Sequence, residues 1–288
     1  MRHLDNNFVY CTRYIAHVGS VFWGFEVAEA QAIKTAVDGG GVTVVTLNRP
    51  EKRNAVSLEM WRALGRLFGE LNERDDVRAI ILDGAGGNFC AGADISEFSK
   101  VRFDAESGRI YEEAGEAATL AIRDCRKPTI SAISGYAIGG GCGLALACDF
   151  RIADRSARMG ITAARLGIVY GTLDCELLYR QVGLANAKRV LFSGQHFAID
   201  DCVAMGLVDM VATEAALTAA QAYAAAIAAN APLSVAGSKL ILEAIAAGTA
   251  EARKKEIAEV IDHAMTSSDY REGARAFVEK RRPNFTGQ

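Results

Sequence analysis

Two glycine-rich stretches interrupt an otherwise periodic sequence, and each stands where a strand hands over to a helix. GAGGNFCAGADISEF runs into short helical spacing at Ile95 and Phe98. GYAIGGGCGLALACD, Gly135 to Asp149, sets three consecutive glycines before an apolar helical run. The first N–H groups of a helix have no partner inside it, and the macrodipole adds partial positive charge there. Glycine lets such a turn bring its main chain close to a ligand. Either turn alone reads as tight packing. Two that converge offer two N–H donors to one oxygen, which is an oxyanion hole. Gly143 stands in the first helical turn after the triplet, where a working side chain could project, and has none.

The elements that must position these loops follow from periodicity. Val42 to Asn48 (VTVVTLN) is β-branched and short, a strand. Ser57 can cap a helix in which Leu58, Trp61, Leu64, Leu67, Phe68 and Leu71 recur at helical spacing. Val77 to Leu82 is a second strand, and the first glycine loop follows it. Arg109 to Cys125 is an amphipathic helix ended by Lys127-Pro128. Thr129 to Ser134 is a third strand and Phe150 to Ala153 a fourth, with the glycine triplet and its helix between them. Alternating strands and helices over the first two-thirds of the chain imply parallel pairing through right-handed crossovers. From Asp174 onward the chain reads as nearly all helical. Ala215 to Asn230 is alanine-rich, and Ile257 to Lys280 is one strongly amphipathic stretch.

The chain has 288 residues, half of them hydrophobic and 23% charged, as expected of a globular protein with a sizeable core. A net charge of −3 argues against a nucleic-acid partner, although Lys280 to Arg282 is locally basic. No run of eighteen apolar residues predicts a membrane span. The first thirty residues lack a continuous apolar segment of the kind a secretory signal needs, and read as an appended arm or the product of an upstream start site. Seven cysteines without metal or disulfide spacing fit reduced, buried thiols and a cytoplasmic location. His196 and His263 fall in helical contexts and are read as structural; no metal constellation is visible.

The pair FCAGADISEF and GYAIGGGCGLALACD resembles the enoyl-CoA hydratase/isomerase (crotonase) family. So do NRPEKRNAVS, GLVDMV at 206–211 and the C-terminal REGARAFVEKRRPNF, so that the likeness runs from about residue 34 to the end. It implies an α/β fold, a crotonase-like ββα spiral with a C-terminal helical region that builds trimers, often paired into hexamers. The implied organisation is an arm over 1–30, a spiral core carrying the thioester site over 31–210 and a helical region over 211–288. The implied ligand is a coenzyme A thioester, CoA being part of the substrate and no cofactor being tightly bound. The family's oxyanion donors fall on the N–H groups of Ala93 and Gly140. Ala91, Asp94 and Ile95 belong to the loop that would follow the CoA adenine and pantetheine. Lys52 and Arg53 match a region near its phosphates. Phe277 and Lys280 match positions where a neighbouring subunit completes the CoA site.

The likeness fails at the acids. Family hydratases hold and activate water with two glutamates, which fall here on Gly143 and Ala163; a third position, an aspartate in some isomerases and a dehalogenase branch, falls on Gly171. Polar residues that remain nearby are Thr162, Arg165, Tyr170, Asp174 and Glu176. Thr162 and Tyr170 coincide with polar positions in a branch that decarboxylates methylmalonyl-CoA. That branch, however, has a histidine at Ala93 and an acid at Gly143. Tyr170 reads either as the phenol that orients a leaving carboxylate or as acyl-pocket wall. Asp174 is read as a helix N-cap or solvated carboxylate, although an early helix start would place it on the face of Gly171. Arg165 is read as a structural salt-bridge partner and Glu176 as a surface or ion-pair residue. The implied activities are enolate stabilisation by an acyl-CoA lyase or isomerase, decarboxylation of a malonyl-type thioester, or acyl-CoA binding without chemistry.

Overall fold

A computed structural model describes residues 32–288; the appended arm at 1–30 lies outside the described residues. Strand β1 (Ile33–Val37) turns back antiparallel into β2 (Val42–Leu47). The Asp38 carboxylate pins that turn by accepting from Gly40 N–H (2.8 Å) and Val42 N–H (2.9 Å). Helix α1 (Leu58–Glu73) starts at Ser57, whose hydroxyl accepts from Met60 N–H (3.2 Å), and buries Met60, Trp61, Leu64, Phe68 and Leu71 on one face. There follow β3 (Ala79–Gly84), the single-turn α2 (Phe98–Val101) and α3 (Ala105–Arg123). Next come β4 (Thr129–Ile133), β5 (Tyr136–Ile138), α4 (Gly140–Ala147), β6 (Phe150–Ala153) and β7 (Arg158–Gly160). Then α5 (Ala163–Leu166), α6 (Thr172–Ser193), β8 (Phe197–Ala198), α7 (Ile199–Met205) and β9 (Met210–Val211) lead into α8 (Ala216–Ala228). Helices α9 (Pro232–Ala246), α10 (Lys254–Thr266) and α11 (Ser268–Glu279) close the chain.

The strands form two sheets, one ordered β1-β2-β3-β4-β6-β9 and one β5-β7-β8. The chain places β4 in the first and β5 in the second before α4, then repeats this with β6 and β7 before α5 and α6. This is the expected ββα spiral. Strand β3 shows why the larger sheet is covered on both faces. Ile80 and Leu82 point into the core shared with α1, α3 and α4, whereas Ala79 and Ile81 meet Ala216, Ala220 and Ala224 of α8. The small alanines let α8 lie close on the sheet, so its apolar composition is that of a core helix.

Several expectations need correction. The four strands read from the sequence pair in parallel as expected, but an unforeseen strand, β1, precedes them and is antiparallel to β2, because a short Asp-Gly-Gly-Gly turn joins the two with no room for a crossover. Strand β5, only three residues long, lies unforeseen between the third strand and the glycine triplet. The stretch 257–280 is two helices, because Ser267 leaves helical geometry (φ −66°, ψ 160°) and caps α11 by accepting from Tyr270 N–H (3.0 Å). His196 sits in the loop before β8, edge-on to Tyr136 at 5.9 Å, and is not helical. Arg165 forms no ion pair among the described residues; its stem lies along Gly194. Glu176 does pair, with Arg180 one turn on at 2.5 Å.

Candidate functional site

The first glycine loop is held as part of the smaller sheet. Cys90 N–H donates to Tyr136 O (2.8 Å) and Ile138 N–H to Cys90 O (2.9 Å), which ties the loop to β5. Two residues on, Val56 N–H donates to Gly92 O (2.8 Å) and Asp94 N–H to Val56 O (2.9 Å). With Gly92 O and Asp94 N–H turned toward Val56, the Ala93 N–H faces the opposite side. Gly140 is the first residue of α4, so its N–H has no acceptor within the helix. Neither N–H has an acceptor among the described residues.

The two donors are close neighbours. A Cβ built on Gly92 would stand 3.4 Å from Gly140 N, and one built on Gly140 would stand 3.8 Å from Ala93 N. That approach depends on glycine. Gly92 has φ +101°, and a Cβ on Gly141 would fall 2.2 Å from Cys90 O. Behind Gly140 lies Trp61, whose ring carbon Cζ2 is 3.0 Å from the place of a Cβ. Trp61 Nε1 donates to the Tyr111 hydroxyl (3.0 Å), which donates to Val56 O (3.3 Å). One buried chain of hydrogen bonds therefore links α1 and α3 to the backbone that orients Ala93.

Both amides open on a cavity of about 510 Å³, a size suited to a small-molecule ligand. Thr162, Tyr170, Ala91 and Ile95 line the same cavity. The Tyr170 hydroxyl lies 3.6 Å from the place of a Gly139 Cβ. Burial first, then the charge of Asp174, pushes the Tyr170 phenol well above its ordinary pKa, so it is a neutral donor. The thiols of Cys90 and Cys142 are pushed up by burial to about 12 and are not nucleophiles.

Other expected residues lie elsewhere. Burial raises the Asp94 carboxyl, but hydrogen bonds from Lys52 (2.8 Å), Ser96 and Arg49 (2.9 Å) outweigh it and hold the group well below the usual carboxylate range. Asp94 is thus a loop anchor, with its side chain outside the cavity lining. Lys52 shares that anchor, and Arg53 lies over the Tyr136 ring at 5.1 Å. Phe277 is 87% exposed near the end of α11, and Lys280 caps that helix in the left-handed region; neither lines the cavity.

The acids of the cavity are the residues that sequence reasoning missed or misplaced. Glu112 and Glu116 of α3 line it, a pair one helical turn apart. Glu112 is paired with Arg102 at 2.6 Å. Asp174 is not an N-cap: Gly171 holds that place, and Asp174 is the third helical residue of α6. Its Oδ1 lies 3.2 Å from where a Gly143 Cβ would be. Burial first, then Glu112 and Glu116, raises its carboxyl to about 6. The two positions that hydratase glutamates would occupy, Gly143 and Ala163, are both buried, and Ala163 lines the cavity.

Two sheets in a ββα spiral, with a loop amide and a helix-start amide side by side, define a fold class. Comparison with known proteins assigns the family within it. The family model for enoyl-CoA hydratase/isomerase matches residues 38–288. A short-chain-enoyl-CoA hydratase of Clostridium acetobutylicum is 36% identical over 84% of this chain and 93% of its own length. Enoyl-CoA hydratase EchA19 of Mycobacterium tuberculosis is 36% identical over 85% of this chain and 93% of its own. The crystal structure of an enoyl-CoA hydratase from Bacillus anthracis superposes with a TM-score of 0.82 at 32% identity, covering 90% of this chain and all of that one. An enoyl-CoA hydratase/carnithine racemase from Magnetospirillum magneticum gives 0.83 at 33%, covering 89% and 96%. The chain belongs to the enoyl-CoA hydratase/isomerase family.

Proposed function

We propose that the protein binds an acyl-CoA thioester, seats its carbonyl oxygen between the N–H groups of Ala93 and Gly140, and stabilises the enolate formed when the acyl chain loses a proton. The observation that carries this is the convergence of two acceptor-free amides on one cavity. Donors already aimed at the developing charge need no reorganisation, and one such donor is typically worth about 10²–10³ in rate. The names of the relatives, enoyl-CoA hydratases, support the thioester class, and a thioester of this class is consistent with a place in fatty-acid metabolism. Ala91 and Ile95 would follow the pantetheine, with Lys52 and Arg53 near the phosphates on the outer side of the same loop. Asp94 acts by holding that loop. Phe277 and Lys280 would serve a neighbouring subunit's site in a homotrimer or a dimer of trimers, the exposure of Phe277 being the supporting feature. CoA enters with the substrate.

With Gly143 and Ala163 bare, the reaction is proton relocation in an acyl chain, as in an isomerase or lyase, and ordinary hydration is disfavoured because two positioned groups are needed to hold and activate water. The test is a panel of thioesters. Binding of acyl-CoA, with crotonyl-CoA hydrated far below family rates, is expected. Hydration of crotonyl-CoA at normal hydratase rates would overturn the reading of the two bare positions. A second reading, decarboxylation of a malonyl-type thioester, draws on the Tyr170 hydroxyl beside the hinge and on Thr162 in the cavity wall. The acids Glu116 and Asp174 in that wall would repel a substrate carboxylate and count against it. Turnover of methylmalonyl-CoA would reverse that order.

A further inference from the structure

The cavity contains a carboxylate that nothing in the fold employs. Asp174 has no hydrogen-bond or ion-pair partner among the described residues, unlike Asp94, Asp149 and Asp209, each of which is tied to a cation. It projects from the first turn of α6 across the gap left by the bare Gly143 of α4, its Oδ1 3.2 Å from the missing Cβ. Any side chain at Gly143 would compete with it for that space. It shares one cavity with the Ala93 and Gly140 amides.

Resting on the thioester reading above, we propose that Asp174 is the catalytic acid–base of this site, entering from α6 at the place where α4 carries no acid, and that it shuttles a single proton along an unsaturated acyl chain. The carboxylate takes a proton from the carbon next to the thioester carbonyl. The C–H pair moves into a C=C bond and the carbonyl electrons onto the oxygen held by the two amides. The same carboxyl then returns the proton to the far carbon of the conjugated system, the oxygen re-forms its carbonyl, and the double bond has moved one place. No other reactant is consumed. One carboxylate suffices for this 1,3 shift, whereas adding water requires a second group to hold it.

The surroundings suit a proton carrier. From α3, Glu112 and Glu116 face Asp174; from α4, Cys142 lies near it; from the segment before α6, the neutral phenol of Tyr170 does. The nearby cation Arg102, just after α2, is already engaged by Glu112. Burial and the two glutamates bring the carboxyl to about 6, within reach of both of its protonation states at neutral pH.

The test uses the full chain with a β,γ-unsaturated acyl-CoA in deuterium oxide. Conjugation is followed by ultraviolet absorbance and deuterium uptake by mass spectrometry. Affinity for a non-reacting thioether analogue is measured by calorimetry. For Asp174→Asn, isomerisation and exchange should fall about 10²-fold or more, with analogue affinity held within about twofold. Asp174→Glu should restore part of the rate. Wild-type kcat/KM should rise with pH through about 6, a limb missing from the residual activity of Asp174→Asn. Should Asp174→Asn refold poorly, Gly143→Ala, which crowds Oδ1 without removing it, should lower the rate in the same assay. If wild type isomerises and both variants stay within about threefold of it, Asp174 is not the acid–base and the thioester reading survives. If wild type binds no thioester, the thioester reading itself fails, and with it the proposal.

Discussion

The two walls of the cavity are built on different principles. One wall, the hinge at Ala93 and Gly140, is main chain pressed against main chain: Gly141 against Cys90 O, Gly92 against Ile138 O and Gly140 N. The other wall, from α3, α5 and α6, presents side chains, several of them half exposed or more. A donor made of backbone can be moved only by rebuilding the backbone, so its position is locked to the fold. An acid on a helix can be supplied from any helix whose face reaches the cavity. The difference bears on the proposal made above: a backbone hinge is retained with the fold, whereas Gly143 and Ala163 are bare and a carboxylate reaches the cavity from α6.

Substitutions should separate the two walls. The largest effect is expected at Gly141→Ala. Its Cβ would meet Cys90 O at 2.2 Å, and neither partner is the end of a flexible side chain, so the hinge must open. Overpacking of this kind costs about 1–3 kcal/mol or more, and a displaced donor about 10²–10³ in rate, read by thermal melting and by proton exchange. Gly143→Ala should do the reverse, with little loss of stability, since alanine favours a helix over glycine by about 1 kcal/mol. The displaced Asp174 should nonetheless lower the rate about 10- to 10²-fold. Trp61→Phe removes the indole donor to Tyr111 and loosens the support of Gly140; about 1–2 kcal/mol of stability should be lost, with a smaller fall in rate.

The smallest effect is one of pH on stability. The folded chain keeps a proton on Asp174 up to about pH 6, and the unfolded chain releases it near 3.9. Between those values the folded state binds more protons, so this group's contribution to stability falls as pH rises. Asp174→Asn removes that fall. Its melting temperature should match wild type near pH 3 and exceed it above pH 7. Equal profiles at all pH values would mean that the carboxyl is not raised by its surroundings.

Legibility in the sequence followed the same division. The two glycine-rich turns could be read because glycine spacing at strand-to-helix joints is a local signal, and Thr162, Tyr170, Ala91 and Ile95, placed through the family resemblance, line the cavity beside them. Strand β5 could not, since three residues carry too little alternation to register. Glu112 and Glu116 belong to the polar side of an amphipathic helix and are not singled out by the sequence, since part of that side is simply solvated: Arg109 pairs with Glu106 at 2.7 Å and Glu113 at 2.5 Å. Asp174 was visible as a residue, but the role proposed for it depends on a long-range meeting of α6 with α4 that no local pattern encodes. Gly171 took the capping position that would have explained it away.

The central claim is tested most directly by the infrared band of a bound thioester carbonyl, isotopically labelled at carbon and recorded by difference spectroscopy against the free compound. Two amides gripping the oxygen should move that band to clearly lower frequency, and Gly141→Ala should return most of the shift. A bound thioester whose carbonyl band stays at its solution position would contradict the account.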